Sequence, residues 1–180
     1  EPVRGLPAVS QIAGADRLGP GWTWAGGPSA CALSTDGEIW CWGDGSPAPT
    51  RLEHASMDTI AAGGAHVCGI DSAGDVSCWT SQGSATLQPT GLPSAAESVT
   101  VGDAHACALL TNGQIACWGD NYSGQLAGDG AGGLGAVVVA GLASATAVDA
   151  GWRRTCAIQA GDVWCWGQLG DGGVVRVPTR

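Results

Sequence analysis

The sequence predicts an all-β fold of four blade-like repeats, each of about four antiparallel strands and each tied by one disulfide within a hairpin. Three observations carry this: a phrase written four times in 180 residues, cysteines at nearly one spacing in every copy, and a composition rich in glycine and tryptophan. With 31 glycines, nine tryptophans, one tyrosine and no phenylalanine, the large apolar side chains are almost all indoles. A hydrophobic content of 44% is enough for a real core.

The four copies are CALSTDGEIWCWG (31–43), CGIDSAGDVSCWT (68–80), CALLTNGQIACWG (107–119) and CAIQAGDVWCWG (156–167), and they mark the hairpin cores of a single repeat domain over 1–180. Each reads as two short strands around a turn, whose glycine supplies the positive φ that a tight hairpin needs. Folding each hairpin about its turn sets Cys31 opposite Cys41, Cys68 opposite Cys78, Cys107 opposite Cys117 and Cys156 opposite Cys165. Opposed residues in such pairs have Cα atoms roughly 4.5 Å apart, within reach of a disulfide. The repeated spacing favours four local disulfides over the competing reading of eight reduced core thiols. Zinc is the weakest reading, since no C-x-x-C occurs and only His66 and His105 stand near cysteines. Each closed loop should contribute roughly 2–3 kcal/mol. Disulfides persist in oxidising surroundings, so an extracellular or cell-surface protein is expected.

The residue after each second cysteine is tryptophan. Strand neighbours point to opposite faces, so Trp42, Trp79, Trp118 and Trp166 leave the face that holds the cysteines. Opposite them stand Ala30, Val67, Ala106 and Thr155, which leave room for an indole. Sheets with two apolar faces stack on one another, and four of them, each covering the next, make a β-propeller. Glycine-rich approaches (AGGPSAC, AGGAHVC, VGDAHAC, AGWRRTC) and proline-led apolar segments from Pro2, Pro49 and Pro89, with a counterpart from Val137, supply the further strands. PVR at 2–4 and PTR at 178–180 align with each other and with PTR at 49–51, a whole number of repeats apart. A closed ring whose ends meet in one blade is the economical reading.

These motifs resemble the regulator of chromosome condensation repeat family, most clearly at VGDAHACALLTNGQIACWGDNYSGQLAGDG (101–130), and in cysteine-bearing form they look like its secreted bacterial branch. The resemblance implies a β-propeller, usually of seven blades. Four repeats would form a small closed ring, a segment of a larger one, or an assembly completed between chains. The nucleotide-exchange and chromatin roles of nuclear members do not carry over, because the net charge is −9 and basic arms are missing.

The same charge, with Arg153-Arg154 the only adjacent basic pair, excludes nucleic acid as a partner. The apolar run at 133–148 is too short and too rich in glycine and alanine to span a membrane. Glu1-Pro2 opens the chain with neither a basic nor an apolar leader region, which fits a mature form as well as a leaderless one. No acid, base and nucleophile set is readable, so neither catalysis nor a cofactor is expected, and His66 and His105 read as residues that brace loops. Asp120, Asn121 and Gln125 read as turn residues that bond backbone groups, and the loop lacks the acidic spacing of a calcium site.

What remains is the loop face. Trp22, Trp24, Tyr122, Trp152, Arg153 and Arg154 are the candidate binding residues, being aromatic and cationic side chains on glycine-flanked loops. The reading is a non-enzymatic module that recognises a protein or a glycan. The alternatives are an extracellular subunit that self-assembles into a filament or surface layer by strand or loop exchange and, more weakly, an inhibitor of an extracellular enzyme.

Overall fold

The computed structural model describes residues 3–14, 30–43, 46–52, 56–80, 88–170 and 173–180, and among them there is strand but no helix. The first sheet holds β1 (Val9–Gly14), β2 (Ala30–Ser34), β3 (Ile39–Gly43) and β4 (Ser46–Arg51). The second holds β5 (Thr59–Gly63), β6 (His66–Ile70) and β7 (Val76–Thr80). β8 (Ala96–Val101), β9 (His105–Leu110), β10 (Ile115–Asp120) and β11 (Gly132–Val138) make the third. β12 (Ala145–Ala150), β13 (Arg154–Gln159), β14 (Asp162–Gln168) and β15 (Val174–Thr179) make the fourth. Every sheet is an antiparallel meander in chain order, so each repeat folds on its own residues.

The hairpins have the register that the turns dictate. Cys31 faces Cys41, Cys68 faces Cys78, Cys107 faces Cys117 and Cys156 faces Cys165. All four pairs are disulfides with Cα atoms 4.0–4.1 Å apart, and no cysteine is free. The turn glycines Gly37, Gly74 and Gly113 sit at φ near +80°. The fourth hairpin has only two turn residues, so Ala160 must adopt positive φ (54°) beside Gly161 (82°), as a two-residue turn of this kind requires.

The stretches from Pro2, Pro49, Pro89 and Val137 supply strands as expected: β1, β5, β8 and β12, the first strand of each sheet, begin inside them. The leading residues of two of them finish the preceding sheet, Pro49 in β4 and Val137 in β11, and β4 is an outermost strand, where an edge tolerates a residue that cannot donate to the ladder. The glycine-rich approaches AGGAHVC, VGDAHAC and AGWRRTC are the tight turns between the first and second strands of the second, third and fourth sheets, and AGGPSAC lies mostly outside the described residues. One expectation is corrected: β1–β4 come wholly from the N-terminal part and β12–β15 wholly from the C-terminal part, so among the described residues no sheet combines the two ends, and the ends do not share one blade.

Three buried clusters, one between each pair of consecutive sheets, hold the stack together. Cys31, Leu33, Ile39 and Cys41 pack on Ile60, Val67 and Trp79 of the second sheet. Cys68, Ile70, Val76 and Cys78 meet Ala106, Ala108 and Trp118 of the third. Cys107, Leu109, Ile115 and Cys117 meet Ala157 and Trp166 of the fourth. The rule is uniform: the cystine face of each sheet lies against the tryptophan face of the next. Among the described residues, no cluster joins the fourth sheet back to the first. Trp79, Trp118 and Trp166 are therefore buried, whereas Trp42, on the leading face of the first sheet, is only half-buried.

Close approach at the inner turns fixes the spacing of the sheets. A Cβ at Gly63 would collide with the carbonyl oxygen of Val101, and one at Gly102 with His105 and the carbonyl of Gly151. Only glycine lets neighbouring backbones come so near.

Candidate binding face

The described turns between first and second strands, at 64–65, 102–104 and 151–153, and the loop of 121–131 between β10 and β11 emerge at one end of the stack. The Asp103 amide donates to the Trp152 carbonyl (3.2 Å), tying the third sheet's turn to the fourth's, and the Asp120 amide donates to the Ala104 carbonyl (2.8 Å). Tyr122 and Trp152 are thus presented at the same end, though no contact joins them.

Residues 120–131 form a braced loop. Asn121 is buried; its Nδ2 donates to the carbonyls of Gly128 (3.0 Å) and Gly130 (2.7 Å), and its Oδ1 accepts from the Leu126 amide (2.9 Å). Gln125 donates to Asp120 Oδ2 (2.8 Å) and accepts from the Ser123 amide (2.8 Å), while Asp120 Oδ1 accepts from the Tyr122 amide (3.3 Å). These three polar residues play the turn-bracing part that the sequence suggests. With them turned inward, Tyr122 projects outward at 81% exposure. Trp152 is 48% exposed, and the Arg153 guanidinium lies over its ring, 4.6 Å from the centroid. Arg154 is exposed at the start of β13. Trp22 and Trp24 lie outside the described residues.

Beneath this surface runs a buried chain of hydrogen bonds that sequence reasoning missed. Thr155 Oγ1 donates to the Gln125 carbonyl (2.9 Å), which also accepts from Trp166 Nε1 (2.8 Å). Since the single hydroxyl proton is committed there, His105 Nε2 donates to Thr155 Oγ1 (3.0 Å) and the ring is the neutral Nε2–H tautomer. Burial pushes the His105 pKa down to about 4 against the opposing pull of Asp120. His66 is shifted down for the same reason, with Asp103 opposing. His105 thus braces the loop of the third sheet against the fourth. Thr155 could be read only as a small residue facing Trp166, because its partner comes from a loop 30 residues away. Among the described residues, no three His, Cys, Asp or Glu side chains gather as a metal site would need.

The model of the regulator of chromosome condensation (RCC1) repeat matches residues 25–46 and 96–125, so the resemblance read from the repeated phrase is borne out. Among solved structures, the chain is similar to Prp20p of Saccharomyces cerevisiae, with a TM-score of 0.72 at 18% identity over 86% of this chain and 48% of that one. Human WBSCR16 superposes with a TM-score of 0.76 at 15% identity over 98% of this chain and 54% of its own. The CRINKLY WD40 ectodomain of the Arabidopsis thaliana receptor kinase ACR4 is 25% identical, with a TM-score of 0.51, over 77% of this chain and 46% of that one. The chain spans about half the length of these structures. Comparison with curated proteins gave no match.

Proposed function

We propose that this chain is a non-enzymatic binding module of the RCC1-repeat type, acting outside the cell or at its surface and recognising a protein through the end that carries Tyr122, Trp152 and Arg153. The observation that carries the reading is the contrast within the loop of 120–131: Asp120, Asn121 and Gln125 are spent on bracing, while the one aromatic, Tyr122, and the acidic Asp129 are left outside. A rigid loop that presents an aromatic loses little entropy when it binds. The stacked Trp152–Arg153 pair offers the two residue types most enriched where binding energy concentrates.

Proteins similar in fold support a protein partner over a glycan. Prp20p is described by its binding to Gsp1p and histones, and the ACR4 neighbour is a receptor ectodomain. Four disulfides and no free cysteine favour an oxidising compartment. A photocrosslinking amino acid placed at position 122 and exposed to the extracellular proteins of the source cells tests this, alongside a glycan array. A specific protein adduct that is lost with Trp152→Ala supports the reading. Array binding without an adduct replaces protein by glycan, and neither result removes the loop end as a binding face.

A further inference from the structure

The three interfaces within the chain repeat one construction, and the two ends of the stack expose its two halves. In the first three sheets, a pair of aliphatics on the cystine face is covered by the next sheet: Leu33 with Ile39, Ile70 with Val76, Leu109 with Ile115, all buried. Their counterparts in the fourth sheet, Ile158 and Val163, are paired in the same register yet 39% and 56% exposed. The tryptophan face mirrors this. Ile60 of β5 is 3% exposed where it meets the first sheet, while Ile12, at the matching place in β1, is 69% exposed.

Backbone positions agree with the side chains. The turn carbonyls of Gly37, Gly74 and Gly113 accept the amides of Met57, Ala96 and Ala145 at the entry of the following sheet, at 2.9–3.0 Å. Cβ atoms built at those glycines would touch that entry, whereas one at Gly161 meets nothing within 4 Å. In register, Val9 stands where Ala96 and Ala145 stand in the later sheets, and it is exposed where they are buried.

We propose that two copies of this chain associate head to tail, the cystine face of each fourth sheet seating on the tryptophan face of the other copy's first sheet, in the way each sheet already seats on the next. Ile158 and Val163 then cover Ile12 and Trp42, and the Val9 amide reaches the Gly161 carbonyl. A second copy is the favoured occupant because the end faces are the two sides of an interface that this sequence already forms three times. Such a contact is heterologous, and two copies suffice if the rotation closes on itself. The proposal is independent of the loop-end binding reading, since it uses the sheet faces and leaves Tyr122 and Trp152 free. It replaces strand or loop exchange with stacking of complete sheets.

The test is the mass of the full 180-residue chain in solution at micromolar concentration, by sedimentation velocity and light scattering. A dimer is expected. Val163→Glu and Ile12→Arg each place a charge where the single chain is open to solvent, so folding, followed by the near-ultraviolet signal of the tryptophans, should survive. Each variant alone should weaken association by about thirtyfold or more, as loss of a central contact does. Mixing the two should restore a pair, because the Ile12→Arg chain keeps its cystine face and the Val163→Glu chain its tryptophan face. A monomeric wild type, a dimer indifferent to both substitutions, a mixture that stays monomeric, or oligomers beyond two would each overturn the proposal.

Discussion

The third sheet and the fourth carry nearly the same phrase, yet their surroundings differ. Leu109 and Ile115 are 5% and 0% exposed, and the disulfide beside them is buried; Ile158 and Val163 lie open, and Cys156 and Cys165 are only partly covered. The hairpins pair in the same register, the fourth with a shorter turn, and among the described residues a following sheet covers the cystine face of the third but not that of the fourth. Stability in this fold is therefore a property of interfaces, and a repeat's own sequence supplies only one side of each.

The strongest way to break that comparison is to truncate the same indole in two settings. Trp118 is fully buried between the second and third sheets, so Trp118→Ala should cost about 3–5 kcal/mol. Trp42 has the same place in its hairpin but is half-buried, so Trp42→Ala should cost less than half as much. Chemical denaturation of both variants reads the difference. Equal losses would show that the indole's worth is set within its own hairpin.

A pH titration separates the same two sheets. His105 stands two residues before Cys107, and the matching place in the fourth sheet holds the exposed Arg154. With its folded pKa lowered from the usual 6.5 to about 4, His105 makes the unfolded chain the stronger proton binder between those values. Its contribution is thus fully present above pH 6.5, is lost as pH falls towards 4, and changes no further below. The loss is about 3 kcal/mol for a shift of this size. His66, shifted in the same direction, adds to it. Melting temperature measured from pH 7 to 4 should fall accordingly, and His105→Gln should flatten much of that slope. A slope unchanged in His105→Gln would place the acid sensitivity elsewhere.

Much of this contrast was beyond a reading of the residues, for a definite reason. Cysteine register, hairpin turns and the face taken by each tryptophan follow from period-two alternation and one turn glycine, which are local, and all were legible. Whether Trp42 is covered depends on whether another sheet precedes it, and nothing in CALSTDGEIWCWG reports that. The repeat boundary is less legible, because one stretch such as PTRLEHASMDTIAA holds the end of β4 and the start of β5, and no residue type marks where one sheet passes to the next. At the candidate site the aromatics and the bracing polar residues were visible as residue types. The Thr155–Gln125–Trp166 chain was not, because it joins two repeats.

Reduction sharpens the comparison further. Thiol–disulfide exchange needs access to a sulfur, so Cys156–Cys165, partly exposed, should be reduced before Cys107–Cys117, which is buried between sheets. Alkylation under mild dithiothreitol, followed by peptide mapping, orders the four pairs. If the third sheet's pair opens first, burial is not what protects these disulfides.

The smallest effect on stability is expected where the effect on binding is largest. Trp152 lies on the turn of the terminal sheet, its backbone carbonyl accepts the Asp103 amide, and that bond survives Trp152→Ala. The half-exposed side chain stacks with Arg153, and an exposed cation–π contact is worth about 0.5–1 kcal/mol. Tyr122 is still less engaged, and Tyr122→Ala should stay within about 0.5 kcal/mol of wild type. Both variants should therefore melt within a few degrees of the parent while partner capture falls steeply. If Trp152→Ala destabilises the chain as Trp118→Ala does, the ring belongs to the core of the stack, and the loop end loses the side chain on which its binding role chiefly rests.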